Sequence, residues 1–240
     1  MNIALLGYGK MGKLIGELAT ERGHHIVAKI DLENQDLRDA LDPKTIDVAI
    51  EFSQPEAALD NIRWAITQGI PVLSGTTGWL ARMPEIEALT LQHQGTFFYA
   101  SNFSIGVNVF FKVNELLAQL MNETNGYQVA VEEIHHTAKK DAPSGTAITL
   151  AEGILKHYSK LKTWNLEGET PNNPDSLPIS SKRIDPAPGT HHIRYTSVID
   201  DLEITHTAHS RHGFALGAIQ VAEWILGKKG VLSMDDYLSF

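Results

Sequence analysis

Residues 7–12 read Gly-Tyr-Gly-Lys-Met-Gly, between a short apolar run at 2–6 and a helical pattern at 10–22. No other feature of the chain limits its fold as tightly. Gly7 permits a tight turn, Gly9 lets backbone approach a pyrophosphate, and Gly12 lets the helix pack against the strand. The helix start then turns free N–H groups and a partial positive charge toward phosphates. Asp31 follows nineteen residues after Gly12, closing the strand-like run 25–30, where a carboxylate would accept from ribose hydroxyls. Strand, helix and acid in this order favour a dinucleotide site over an ordinary glycine turn.

The alternation continues. A β-branched run at 46–51 precedes a helix at 55–68, with Ala58, Leu59, Ile62 and Ile66 on one stripe. Strands are expected at 71–73 and 96–99, with a short helix at 85–92 between them. This is the α/β pattern of a Rossmann-like, doubly wound parallel sheet. "SGTTGW" (74–79) and "ASNFSIG" (100–106) both follow strands, on the sheet edge where ligands bind in such folds. Beyond Asn102 the pattern changes, which predicts a second domain. A helix is expected at 107–121, an alternating strand at 128–135, and a helix capped by Ser144 running to about 157. The Pro-, Asn-, Ser- and Asp-rich stretch 168–188 reads as a mobile loop. Strands at 193–199 and 202–208, joined at Asp200-Asp201, lead to a last strong helix at 214–226.

Composition removes several function classes. The chain of 240 residues has no cysteine, which excludes disulfides, thiolate zinc sites and cysteine nucleophiles; no metal is expected. A net charge of −9 argues against nucleic-acid binding. No apolar run approaches the ~18 residues of a membrane helix. The opening "MNIALLGYGKMG" enters a strand without a basic leader, so a cytoplasmic location is expected.

Against that acidic background, "EEIHHTAKKDAPSGTA" (132–147) gathers two histidines and two lysines beside a glycine turn. His135 and His136 would point to opposite faces of a strand unless the strand ends there. Pro143 and Ser144 read as a helix start, with the amides of Gly145 and Thr146 aimed at any anion placed there. Cations beside a helix N-terminus make a carboxylate cradle, so the residues point to a reductase or dehydrogenase with an anionic substrate. Tyr158-x-x-x-Lys162 matches the Tyr/Lys spacing of short-chain dehydrogenases, but the glycine pattern of that family, Thr-Gly-x-x-x-Gly-x-Gly, is missing.

"EIHHTAKKDAPSGTA" resembles the signature of the dihydrodipicolinate reductase family, and "GYGKMG" with Asp31, "GTTG", "SNFSIGVNV" and "LEITHTAHSR" match in order. The resemblance implies reduction of dihydrodipicolinate, formed from 4-hydroxy-tetrahydrodipicolinate, to tetrahydrodipicolinate in the diaminopimelate route to lysine. It implies His135 and Lys139 as acid/base residues, and His136, Gly145 and Thr146 as contacts to the substrate carboxylates. It makes Gly7, Tyr8, Gly9, Lys10, Met11, Gly12, Asp31, Gly75, Thr76, Thr77, Ala100, Ser101, Asn102 and Phe103 cofactor contacts. Residues 1–104, completed by 212–240, would form the dinucleotide-binding domain. Residues 105–211 would form an α+β domain whose mixed sheet binds the dicarboxylate substrate and builds a homotetramer. Asp31, with the uncharged Leu32 beside it, favours NADH over NADPH, which stays possible. Three features depart from the family. Thr137 stands where a third basic residue is usual, the chain is short between Asp31 and Asp47, and "IDPAPGTHHIRY" replaces a glycine-rich connection. The rival readings are a non-catalytic dinucleotide sensor, which lacks a basic DNA-binding module here, and another two-domain dehydrogenase acting on a small carboxylate.

Overall fold

Strand β1 (Asn2–Leu6) feeds two layers at once, Ile3 and Leu5 facing one and Ala4 and Leu6 the other. A strand covered on both faces belongs inside a parallel sheet. The computed structural model, which describes residues 1–168 and 173–239, places it there. Six parallel strands run in the order β11 (Gly230–Leu232), β5 (Thr96–Tyr99), β4 (Val72–Ser74), β3 (Val48–Glu51), β1 and β2 (His25–Ile30). Helices α1 (Lys10–Glu21) and α6 (His212–Trp224) cover one face, through Ile15, Ala19, Ala218, Ile219 and Ala222. Helices α2 (Pro55–Thr67) and α3 (Met83–Gln92) cover the other, through Ala58, Ile62, Ile66 and Ile86. Each fully buried Ile or Leu contributes roughly 1.5–3 kcal/mol to holding these layers together. The doubly wound sheet is therefore as expected.

The chain divides into two units, Met1–Ile105 with the segment from His212 onward, and Gly106–Arg211. In the second, a mixed sheet runs in the order β10 (Asp201–Ala208), β9 (Gly189–Thr196), β6 (Gln128–His135), β8 (Ser176–Arg183) and β7 (Thr163–Leu166). β9 is antiparallel to both neighbours, whereas β6, β8 and β7 are parallel. Helices α4 (Ile105–Asn122) and α5 (Gly145–His157) pack on one face, where Phe110, Ala118, Leu150 and Ile154 meet Val131, Ile179 and Ile193.

Two expectations need correction. The loop at 168–188 contains β8, whose eight residues are held by pairing to β6 and β7; residues 169–172 of that loop lie outside the described residues. The strands expected at 193–199 and 202–208 are β9 and β10, and the turn between them is residues 197–200, where the Ser197 hydroxyl accepts from the Asp200 amide at 3.1 Å. Beyond residue 226 the chain adds β11 and the short helix α7 (Met234–Leu238).

Candidate active site

The strand order reverses between β1 and β3, and ligands of doubly wound sheets bind outside the carboxyl ends at such a point. A cleft of about 530 Å³ lies there, lined by Gly7, Gly9, Lys10, Met11, Asp31, Gly75, Thr76 and Thr77 of the expected cofactor contacts. Gly7 has φ +100°, and a Cβ on it would stand 2.0 Å from the Phe52 carbonyl oxygen. A Cβ on Gly12 would stand 2.1 Å from the Gly7 carbonyl oxygen, so the third glycine sets how closely α1 meets the turn. Gly9 has open space where its side chain would be, which leaves room for a phosphate against the first amides of α1. These are the features a dinucleotide needs.

Tyr8, Gly12 and residues 100–103 of the expected contacts do not line this cleft. Gly12 is buried, and Tyr8 stacks under Lys29, whose Nζ is 5.0 Å from the ring centre. Ala100 and Phe103 are buried in the core, Phe103 against Phe52 at 5.5 Å between centroids, while Ser101 is exposed and Asn102 half-buried. Asp31 caps a 3-10 helical stretch, Leu32–Ala40, by accepting from the Leu32 amide at 2.9 Å through Oδ1. Sequence reasoning missed Ser53, Gln54 and Pro55, which line the same cleft. Their position directly after β3, on the edge that carries the other loops, was the available signal.

Behind that loop Glu51 is fully buried. It accepts from Ser74 Oγ at 2.6 Å, Thr76 Oγ1 at 2.9 Å, the Ser53 amide at 3.0 Å and the Ser53 hydroxyl. Burial pushes its carboxyl above the usual range despite these bonds. One carboxylate thus ties the β3 and β4 loops of the cleft together.

In the second unit, alternation puts Val129, Val131, Glu133 and His135 on the covered face of β6. β6 ends at His135, so His136 begins the loop and is half-buried. His135 Nδ1 lies 3.2 Å from Glu133 Oε2. Lys139 Nζ donates to both oxygens of Asp141, at 2.9 and 2.8 Å, which lowers the Asp141 carboxyl. Ser144 caps α5, its hydroxyl accepting from the Ala147 amide at 3.2 Å. Gly145 is exposed and Thr146 half-buried in the first turn, whose leading amides have no acceptor within the helix. His135, His136, Lys139, Gly145 and Thr146 therefore share one strand end, one loop and one helix start.

Two departures from the family pattern turn out to be partners. The Thr137 amide and hydroxyl donate to Asp185 at 3.0 and 2.6 Å, and Asp185 belongs to the altered connection before β9. The Tyr158/Lys162 pair has no shared site. Tyr158 is buried and donates to the Tyr127 carbonyl at 3.2 Å, and Lys162 pairs with Asp175 at 3.0 Å. Glu133, His135 and His191 bring ligand-type atoms within 4.8 Å of one another, but Arg183, 3.2 Å from Glu133, already supplies the counter-charge.

Sequence models described as dihydrodipicolinate reductase, N-terminus and C-terminus, match residues 1–103 and 106–238. The chain is 52% identical over 241 residues to the 4-hydroxy-tetrahydrodipicolinate reductase of Christiangramia forsetii, covering 100% of this chain and 98% of that protein. It is 34% identical to the enzyme of the same name from Lawsonia intracellularis, covering 95% of each. Among solved structures it is similar to a dipicolinate-bound dihydrodipicolinate reductase from Paenisporosarcina sp. TG-14, with TM-score 0.79, 20% identity and 99% of each chain covered, a likeness of fold. The matches to both halves and the relative that spans the full length agree, and the chain belongs to the dihydrodipicolinate reductase family.

Proposed function

We propose that this chain performs its family's pyridine-nucleotide-dependent reduction of dihydrodipicolinate, on the diaminopimelate route, with the dinucleotide in the β1/β3 cleft and the 135–146 segment as the acid and the carboxylate cradle. The observation that carries this reading is the gathering of His135, Lys139 and the first amides of α5 in an otherwise acidic chain. The bound cofactor supplies a hydride to C4 of the α,β-unsaturated cyclic imine. The ring then holds an electron pair that must take one proton. Lys139 carries an ammonium beside that position in this reading, so it stabilises the developing charge and delivers the proton, assisted by His135. His136 and the Gly145 and Thr146 amides hold the carboxylates, aided by the positive end of the helix.

NADH is the favoured cofactor. Asp31 repels a 2′-phosphate, and Arg38, the nearest arginine in sequence, is spent on Asn61 and Asp39 at 2.9 and 3.0 Å. A homotetramer in the cytoplasm completes the reading. Besides the mixed sheet to which the resemblance gives the tetramer, Val109, Val113, Leu116 and Leu120 form an exposed apolar stripe on α4 that a second copy would cover. Among the described residues no helix is long and apolar enough to cross a membrane. Lys139→Ala and His135→Ala are expected to lose roughly 10²–10⁴-fold in kcat, with NADH affinity preserved. Turnover near that of the wild type in either variant returns the cluster to an ordinary polar loop.

A further inference from the structure

The acid/base reading leaves Glu133 without a role. It is fully buried, next to His135 on the covered face of β6, where Val129 and Val131 simply fill the core. Burying a carboxylate is costly unless its oxygens are matched. Oε1 is matched three times, by the Ser144 amide at 3.1 Å, the Ser181 hydroxyl at 2.8 Å and Arg183 Nη2 at 3.2 Å. Oε2 and His135 Nδ1 are both buried with no other partner and lie 3.2 Å from each other, with His191 Nε2 3.8 Å from Oε2. The arrangement follows from register, since Glu133 stands opposite His191 on β9 and opposite Ser181 on β8, and His135 opposite Arg183.

His191 packs edge-on against His135, 5.2 Å between centroids. Its burial, then the proximity of His135, pull its pKa down to about 4, so it adds no charge at neutral pH. The free oxygen of Glu133 is thereby left to His135. At the other end of that ring, Gly189 has no side chain, and a Cβ built there would stand 3.0 Å from His135 Nε2.

We propose that Glu133 is a positioning residue that holds the His135 proton on Nδ1, so that Nε2, kept clear by Gly189, is the nitrogen that exchanges a proton with substrate. This rests on His135 being an acid/base residue. A buried carboxylate on Nδ1 fixes both tautomer and ring orientation, and losing it leaves an imidazole in place with the wrong nitrogen exposed.

The test combines ¹⁵N NMR of the histidine side chains with kinetics of Glu133→Gln, Gly189→Ala and His135→Gln. The neutral ring of His135, assigned by its loss in His135→Gln, is expected to carry its proton on Nδ1 in the wild-type protein and to shift toward Nε2–H in Glu133→Gln. That variant is expected to lose about 10²-fold in kcat, the lower end for an acid/base group, with KM for NADH unchanged. Gly189→Ala is expected to keep the Nδ1–H tautomer and still lose kcat. A wild-type spectrum with the proton on Nε2 overturns the proposal even if Glu133→Gln does not fold. Wild-type kcat in Glu133→Gln, with His135→Gln inactive, overturns the positioning role and leaves the acid/base reading standing. Wild-type kcat in His135→Gln removes both.

Discussion

In the proposed reading, Asp31 and Leu32 set cofactor choice through one charge and one absence of charge. Leu32 lines the cleft and is 67% exposed, so a longer side chain fits there without disturbing the core. Leu32→Arg combined with Asp31→Ser is expected to turn a preference for NADH into one for NADPH, read as the ratio of kcat/KM values. The physical reason is exchange of a carboxylate for a guanidinium that pairs with phosphate through two N–H groups. An unchanged ratio places the ribose away from Asp31. At this scale the glycines, Asp31 and the His-His…Lys run were legible, because each is a local motif with a local mechanism. Glu133 stood in the quoted stretch and alternation put it on the face of His135, yet its partners were hidden. Ser181, Arg183 and His191 reach it only through the register of two other strands. The pairing of Thr137 with Asp185 was hidden in the same way.

The sheet of the second unit is built around titratable groups, and its stability follows from them. Burial raises the Glu133 carboxyl, but its contacts with His135, Ser144 and Ser181 outweigh this and hold it well below the usual range. That contribution is present above the unfolded value of 4.5 and is lost as pH falls below it. His191 is neutral in both states above 6.5, and between 6.5 and about 4 the unfolded chain takes a proton that the folded chain refuses. Stability therefore falls with pH in this window, by on the order of 3 kcal/mol at most from His191. Melting temperature is expected to be level above pH 7 and to drop toward pH 4, with His191→Gln flattening the drop. A level profile down to pH 5 in the wild-type protein contradicts this. Elements with strong periodicity, such as α2 and β6, were readable from sequence. β8 was not, because "SLPISSKR" carries a proline and three serines and is held extended by its neighbours rather than by its own preference. β11 has three residues, too few to show any period.

At the scale of the whole molecule, the α4 stripe is one apolar surface that a single copy leaves uncovered. Leu116 and Leu120 are 56% and 62% exposed, one helical turn apart. Leu116→Lys with Leu120→Lys is expected to dissociate a homotetramer in sedimentation velocity at low salt, since like charges on both copies repel. A tetramer that persists in the double variant places the interface on another surface. The proposed reaction is tested by NADH oxidation, followed by absorbance, with freshly generated dihydrodipicolinate and the full chain. Oxidation is expected to depend on that substrate, to be inhibited competitively by pyridine-2,6-dicarboxylate, and to be lost in Lys139→Ala. NADH left unconsumed by the folded wild-type protein, or oxidation that proceeds equally without the substrate, would contradict the proposed reaction.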